Sequence, residues 1–449
     1  MNFVPVVIKL MDYPCSILSN WNRSSMKQII RKLTQEENVR ITQTDVNSPM
    51  GKALRCYWWA IGISADLTDR PTFIRVLGED LVLFRDGSGQ LGLIGAYCSH
   101  RRTNLCLGIV EPDGLRCRYH GWKYSVDGSV LRTPGEPKDS DLLSRVKHKA
   151  YPLSELGGII FAYLGAEPAP PIPRYDFLVD GGERHVAVLG FSESNWLQNV
   201  ENGMDPYHAS FTHATTWDDL EMGPDFLRFE KTKHGIAYHA YQPSGREGLY
   251  LRREHHLVMP GISVGAGGLL RGTQIGGEGG MIGGVSNLKR AIKLPTSARF
   301  TTPVDNTHAL MIRINWKPAD SPVDYKRDPK PNAGAWNAYS FEPYKEYRAS
   351  ANANLGYEWP TVIDTQDAIV LDSIGEISDR ENENLSVIDR GMVMFREMLF
   401  QTMADVQQGL DPCGIVRDLA KNESIRVNAT EELIDSRVYQ SAKERYMVT

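Results

Sequence analysis

Three features of the chain predict an α+β fold of two successive domains, an antiparallel β domain followed by a mixed domain with a β-rich centre and flanking helices. Residues 57–164 are short apolar, β-branched and aromatic runs separated by turn signals, residues 167–173 read EPAPPIP, and helical stretches bracket a second β-rich region beyond them. At 449 residues there is room for two or three domains with sizeable cores. Hydrophobic residues make up 41% and charged residues 23%, an ordinary globular balance that excludes disorder of the whole chain.

Taken in order, residues 1–50 form an N-terminal extension, with a helix expected over 25–37 from a serine cap. Its first 32 residues carry no motif, and Met26 is an alternative start. The first domain spans 51–166, with strands expected over 58–63, 72–77, 81–84 and 91–96. Asp86-Gly87 and Asp127-Gly128 are expected as hairpin turns in which Gly takes the positive φ. Four prolines in residues 167–173 make an extended linker. The second domain, 174–449, begins with a helical stretch over 194–211 and returns to strands over 227–316. The glycine-rich segment 261–284 reads as loops, and two late helices are expected over 361–374 and 392–408.

Fifty Lys and Arg against 55 Asp and Glu leave a formal charge of -5, which offers no basic footprint for nucleic acid. The longest apolar runs fall short of the roughly 20 residues that span a bilayer, and Lys9 and Asp12 interrupt the N-terminal one, so neither membrane insertion nor secretion is expected. Six scattered cysteines make a poor disulfide framework. A reducing compartment, the cytoplasm, fits better, and there closely spaced Cys and His read as metal ligands.

Cys98-Ser-His100 and Cys117-Arg-Tyr-His120, separated by sixteen residues, supply two thiolates and two imidazoles beside glycine-containing turns. Such a set can bind zinc, or a [2Fe-2S] cluster with both thiolates on one iron and both imidazoles on the other. The phrase CSHRRTNLCLGIVEPDGLRCRYHGWKY resembles the Rieske cluster-binding motif, which implies the cluster and identifies 51–166 as a Rieske [2Fe-2S] domain. Cys106 and His148 lie outside the pattern and read as packed or surface residues. One departure stands out: the family commonly has Gly where this chain has Arg102, and a cation there is expected to favour the reduced cluster.

Past the linker, Asp205-x-x-His208-x-x-x-x-His213 follows Glu201, with Pro206 breaking regular structure so that a helix end delivers both rings to one point. A Rieske domain followed by this pattern resembles the Rieske non-heme iron oxygenases over about residues 33–388. That resemblance implies a helix-grip catalytic domain over 174–449 and a mononuclear Fe(II) held by His208, His213 and a later carboxylate. Two imidazoles and one carboxylate leave coordination sites open for O2 chemistry. Physical argument alone leaves Asp364, Asp367, Asp372 and Glu376 open as the carboxylate. The segment TQDAIVLDSIGEISDR is similar to the family phrase that places it at Asp367. The same resemblance implies that Asp205 bridges His208 and, across a subunit boundary, His100 or His120 of a neighbouring chain. The assembly would then be a homotrimer or a stacked hexamer.

The implied activity is that of a terminal oxygenase. Its electrons would come from a separate NADH-dependent reductase carrying flavin and iron-sulfur, because no dinucleotide fingerprint or second cysteine cluster is present. The segments quoted, with YPLSELGGIIFAYLG, look most like the phthalate 4,5-dioxygenase group. An aromatic carboxylate is therefore the first expected substrate, with O-demethylation or monohydroxylation of a substituted aromatic acid as the alternative. Arg252, Arg253, Arg271, Arg299 and Arg313 are the arginines of the central β-rich region, none of them singled out as an anchor. A Rieske electron carrier with an accessory domain and a zinc-stabilised binding protein are the competing classes.

Overall fold

The structure, a computed structural model, describes residues 32–137, 139–213, 223–244, 247–266, 296–321, 359–360, 363–427 and 430–448. The opening helix, α1 (Gln35–Thr42), starts at Thr34, whose hydroxyl accepts from Glu37 N while the Glu37 carboxylate accepts from Thr34 N. The start signal is thus this reciprocal cap; residues 25–31 of the expected helix lie outside the described residues. A second short helix, α2 (Pro49–Leu54), is capped by Ser48 with proline at its first position.

Antiparallel strands then build three small sheets: β1 (Trp58–Ile63) with β9 (Leu153–Leu156) and β10 (Ile159–Tyr163), β2 (Thr72–Val76) with β3 (Glu79–Arg85) and β4 (Leu91–Gly95), and β5 (Ile109–Glu111) with β6 (Gly114–Arg116), β7 (Lys123–Tyr124) and β8 (Val130–Arg132). The β3–β4 turn corrects one expectation. Its positive φ falls on Gly89, at 92°, not on Gly87, because Asp86 Oδ1 accepts from Ser88 N and Gln90 N and draws the turn past the Asp-Gly pair. Gly128, at φ 81°, behaves as expected, and a Cβ there would lie 2.1 Å from His148 O.

Residues 167–173 contain no helix or strand. The second part is dominated by an eight-stranded antiparallel sheet of β11 (Gly182–Ser192), β12 (Phe226–Thr232), β13 (Gly235–Pro243), β14 (Leu249–Val258), β15 (Ile262–Ala266), β16 (Thr296–Pro303), β17 (Ala309–Pro318) and β18 (Thr430–Asp435). The order β11-β17-β16-β15-β14-β13-β12 is completed by β18, which pairs with β14 over Leu249–Glu254 where β15 leaves that edge open. Residues 262–266, expected as loop, are therefore a sheet strand; residues 267–284 of the glycine-rich segment are outside the described residues.

Helices flank the sheet. The stretch expected as one helix over 194–211 is two, α3 (Trp196–Asn202) and α4 (Tyr207–Thr212), because Pro206 has no N–H to continue the first. Of the late helices, α5 (Ile363–Ser373) and α6 (Arg390–Gln407) lie within about two residues of expectation, and α7 (Ser436–Val448) closes the chain.

The two parts share their cores. Trp59 and Ile61 of β1 pack in one cluster with Leu197, Val200 and Met204 near α3 and with Phe395 and Leu399 of α6. Ala60, Ile159 and Phe161 pack in another with Phe300, Ile312 and Ile314 of the large sheet. An almost wholly apolar strand such as WWAIGI suits this double burial.

Candidate metal centres and active site

The loop after β4 and the loop between β6 and β7 carry the Cys-His pairs, and they close in the same way. Arg102 N donates to Cys98 O at 2.9 Å, and Gly121 N donates to Cys117 O at 3.1 Å. Each closing residue is left-handed, Gly121 at φ 74° and Arg102 at φ 63°. The glycine that the resemblance leads one to expect in place of Arg102 would take this conformation without strain. Cys98 and Cys117 are buried, each 2% exposed, while the imidazoles stand outward, with ring centroids of His100 and His120 4.5 Å apart. His100 stacks on Trp122 at 5.0 Å, and Tyr119 packs on His120. Buried sulfurs on one side and surface imidazoles on the other match a two-iron cluster with unlike ligands on its two irons.

The second constellation forms where α4 meets α5. His208 Nε2 lies 3.5 Å and His213 Nε2 3.3 Å from the same Asp367 Oδ1, and one ligand atom from each residue falls within 4.8 Å of the others. Among the described residues, Asp367 Oδ1 is buried without a hydrogen-bond partner. Three such donors converging on a point fit a divalent ion bound by two imidazoles and a carboxylate. Burial opposes charge on Asp367, but His208, His213 and Arg299 outweigh it and hold its carboxyl far below the usual range. Burial likewise opposes charge on His208, and the carboxylates of Asp205 and Asp367 outweigh it, raising it to about 9. A cation is therefore favoured where the three meet.

The other candidate carboxylates lie away from the two imidazoles. Asp364 makes a two-point ion pair with Arg313. Asp372 accepts from Ser192 Oγ at 2.8 Å, and Glu376 is exposed. Asp205 caps α4, accepting from Tyr207 N at 2.8 Å and His208 N at 3.3 Å, and its Oδ2 also lies 3.7 Å from His208 Nδ1. The cap and the approach to the imidazole thus coexist.

Sequence reasoning missed two residues. Gln366 Oε1 pairs with His213 Nδ1 at 2.6 Å, and because a carbonyl oxygen only accepts, it places the proton on Nδ1 and the lone pair on Nε2. The Gln-Asp phrase was visible, but nothing in it pointed at a particular ring. Arg299, named but not chosen, is partly buried, its side chain 12% exposed, 3.8 Å from Asp367 Oδ2 and donating to Asn199 O at 3.1 Å. Arg252 pairs with Glu432, and Arg271 lies outside the described residues. His308 sits in a turn with Asp305, away from the site.

His208, His213 and Asp367 open onto a cavity of about 230 Å³. Its lining also includes Tyr238 stacked on His255 at 4.9 Å, and the buried ion pair Arg253–Glu431 at 3.2 Å. No helix of the described residues is long and apolar enough to cross a membrane.

Comparison with known proteins places this geometry. Residues 57–159 match the Rieske [2Fe-2S] domain. The chain is 31% identical over 407 residues to the 5,5'-dehydrodivanillate O-demethylase oxygenase subunit of Sphingobium sp. (strain NBRC 103272 / SYK-6), covering 88% of this chain and 86% of that protein. It is 32% identical to the phenoxybenzoate dioxygenase subunit alpha of Ectopseudomonas oleovorans (82% and 85% covered) and 28% identical to the phthalate 4,5-dioxygenase oxygenase subunit of Pseudomonas putida (85% and 89%). Among solved structures, Pseudomonas putida CBB5 NdmA with caffeine superposes with a TM-score of 0.59 at 18% identity over 83% of this chain and 99% of that one, a likeness of fold. With a matched Rieske cluster domain and full-length likeness to these oxygenase subunits, the chain belongs to the Rieske non-heme iron oxygenases, as a terminal oxygenase component that uses a [2Fe-2S] cluster and a mononuclear iron.

Proposed function

We propose that Cys98, His100, Cys117 and His120 hold the cluster, that His208, His213 and Asp367 hold the iron, and that the enzyme oxidises an aromatic carboxylate. The observation that carries this reading is the convergence of His208 and His213 on Asp367 Oδ1 at the wall of the cavity. Bound there, iron supplies O2 activation driven by electrons from the cluster. The chain's own groups do the rest. Gln366 orients His213, Arg299 balances the outer oxygen of Asp367, and the flat Tyr238–His255 stack offers a face for an aromatic ring. The three relatives are each named for an aromatic carboxylate, which supports the substrate class. O-demethylation is the second reading, favoured by the first of them; the two differ in which substrate atom lies nearest the metal.

Domain limits of 51–166 and 174–449, joined by the linker 167–173, accompany this reading. So does a homotrimer or stacked hexamer in which Asp205 links His208 to His100 or His120 of a neighbour, with a flavin and iron-sulfur NADH reductase as electron source. The test is iron and sulfide analysis with EPR of the dithionite-reduced protein, wild type against Asp367→Ala. About three irons and two sulfides per chain, falling to about two irons with the Rieske signal retained, are expected. A colourless zinc protein would end the proposal. Reductase-coupled oxidation of aromatic acids and neutral aromatics, with products identified, then decides substrate class and reaction.

A further inference from the structure

His148 lies 4% exposed behind the first cluster loop and has no part in the ligand set. Its extended backbone is fixed on two sides: His148 N donates to Gly128 O at 2.8 Å, and Gly95 N donates to Lys149 O at 2.8 Å. The imidazole is fixed as well. Nε2 contacts Gly95 O at 2.8 Å, and a carbonyl only accepts, so Nε2 carries the hydrogen. In the neutral ring, which burial favours, Nδ1 is then an acceptor, and Ser99 Oγ donates to it at 2.7 Å. Ser99 stands between Cys98 and His100, so this bond ties the first cluster loop to β4.

The same ring packs against Tyr124, with centroids 4.4 Å apart and an interplanar angle of 34°. Tyr124 is fully buried, and its hydroxyl accepts from Ser99 N at 3.1 Å. Its one hydrogen is left for Cys98 Sγ, 3.0 Å away, which as a cluster thiolate only accepts. Hydrogen bonds to cluster sulfur withdraw electron density and raise the reduction potential. The hydroxyl's other hydrogen bond is thus to the backbone of Ser99, whose side chain His148 holds.

We propose that His148 is a positioning residue for the cluster: by latching Ser99 and bracing the Tyr124 ring it keeps the Tyr124 hydroxyl on Cys98 Sγ and so holds the midpoint potential up. This rests on the assignment of Cys98 and His100 as cluster ligands. The order of groups, imidazole to serine and tyrosine to sulfur, makes the effect of His148 indirect, which a double-variant cycle can read.

The experiment is a redox titration of the full-length holoprotein followed by EPR, on wild type, His148→Leu, Tyr124→Phe and the double variant. Expected are a negative shift in each single variant and a double variant no lower than Tyr124→Phe alone. A wild-type potential in cluster-loaded His148→Leu, or shifts that add in full, would overturn the proposal. Should His148→Leu fail to assemble a cluster, Ser99→Ala removes the latch with one atom; it too is expected to shift the potential down, and an unchanged potential would count against the role. His148→Gln, which keeps hydrogen-bonding groups but not the ring, should recover only part of the shift, and full recovery would refute the bracing of Tyr124. Absence of any Rieske signal from wild type would instead refute the ligand assignment.

Discussion

Gln366 and Asp367, adjacent on α5, grip the two ends of one imidazole: Gln366 Oε1 is 2.6 Å from His213 Nδ1, and Asp367 Oδ1 is 3.3 Å from His213 Nε2. A single helical step therefore sets both the tautomer of the ring and its nearest anionic neighbour. The amide of Gln366 is itself held by Pro360 O, so its oxygen and nitrogen ends are not interchangeable.

From this follows the first expectation. Gln366→Leu frees the ring and should weaken iron binding about 10–100-fold, the usual cost of losing the partner of a ligand histidine. Titration of metal-depleted protein with Fe(II), with cobalt as a spectroscopic substitute, measures it; Gln366→Glu, which keeps an acceptor, should lose less.

Asp364 and Asp367 should separate cleanly. Asp364 is occupied by Arg313, so Asp364→Asn is expected to retain the mononuclear iron, whereas Asp367→Asn loses it. Iron retained in the second variant and lost in the first would move the ligand to Asp364.

Glu201 ends α3 in a buried clasp. It accepts from Arg380 Nη2 at 2.8 Å and Arg396 Nε at 2.6 Å, and Arg380 also donates to Asn38 of α1. Burial pushes the Glu201 carboxyl up, but the two guanidiniums outweigh it and hold it down at about 2. Because the folded value lies below the unfolded one, the stabilisation is complete above about pH 4.5 and is lost as pH falls toward 2. Glu201→Gln, which takes the carboxylate partner from buried Arg380 and leaves Arg396 with Glu383 alone, should cost about 3 kcal/mol near neutrality. Thermal midpoints from pH 6.5 to pH 3.5 should show the gap between wild type and variant narrowing only at the acid end; a constant gap would contradict this.

Arg102→Gly should have two effects of different origin. Releasing a left-handed non-glycine residue stabilises the loop by about 1 kcal/mol. Removing the cation, which also covers the Tyr97 ring at 5.0 Å, should lower the cluster potential. Thermal midpoint and redox titration read the two separately, and an unchanged potential would show that solvent screens the charge.

Local chemistry explains which parts were legible in the chain. The cluster pairs each lie within one loop, and His208 and His213 stand at the two ends of α4, so spacing alone brings their side chains together. Strand texture likewise marked β1 to β4 to within about two residues. The choice among Asp364, Asp367, Asp372 and Glu376 was not local, since it depends on which face of α5 meets α4; spacing cannot supply that, and a family phrase did. Gln366, Arg299 and His148 were illegible for the same reason, their partners lying 153, 68 and 49 positions away, as the pairs His213–Gln366, Arg299–Asp367 and Ser99–His148 record. The split between α3 and α4 was announced by Pro206 and nonetheless obscured by the helical texture around it.

The burial of β1 between two cores bears on how such enzymes can be recombined. Trp59 and Ile61 complete one hydrophobic cluster of the iron-bearing half, and Ala60 lies in another with Phe300 and Ile312. A chimera that imports residues 51–166 from a relative replaces side chains inside both clusters, not only at a docking surface. Electron entry and substrate oxidation are thus inherited together, and transplanting one of them requires re-matching the side chains along both faces of this strand.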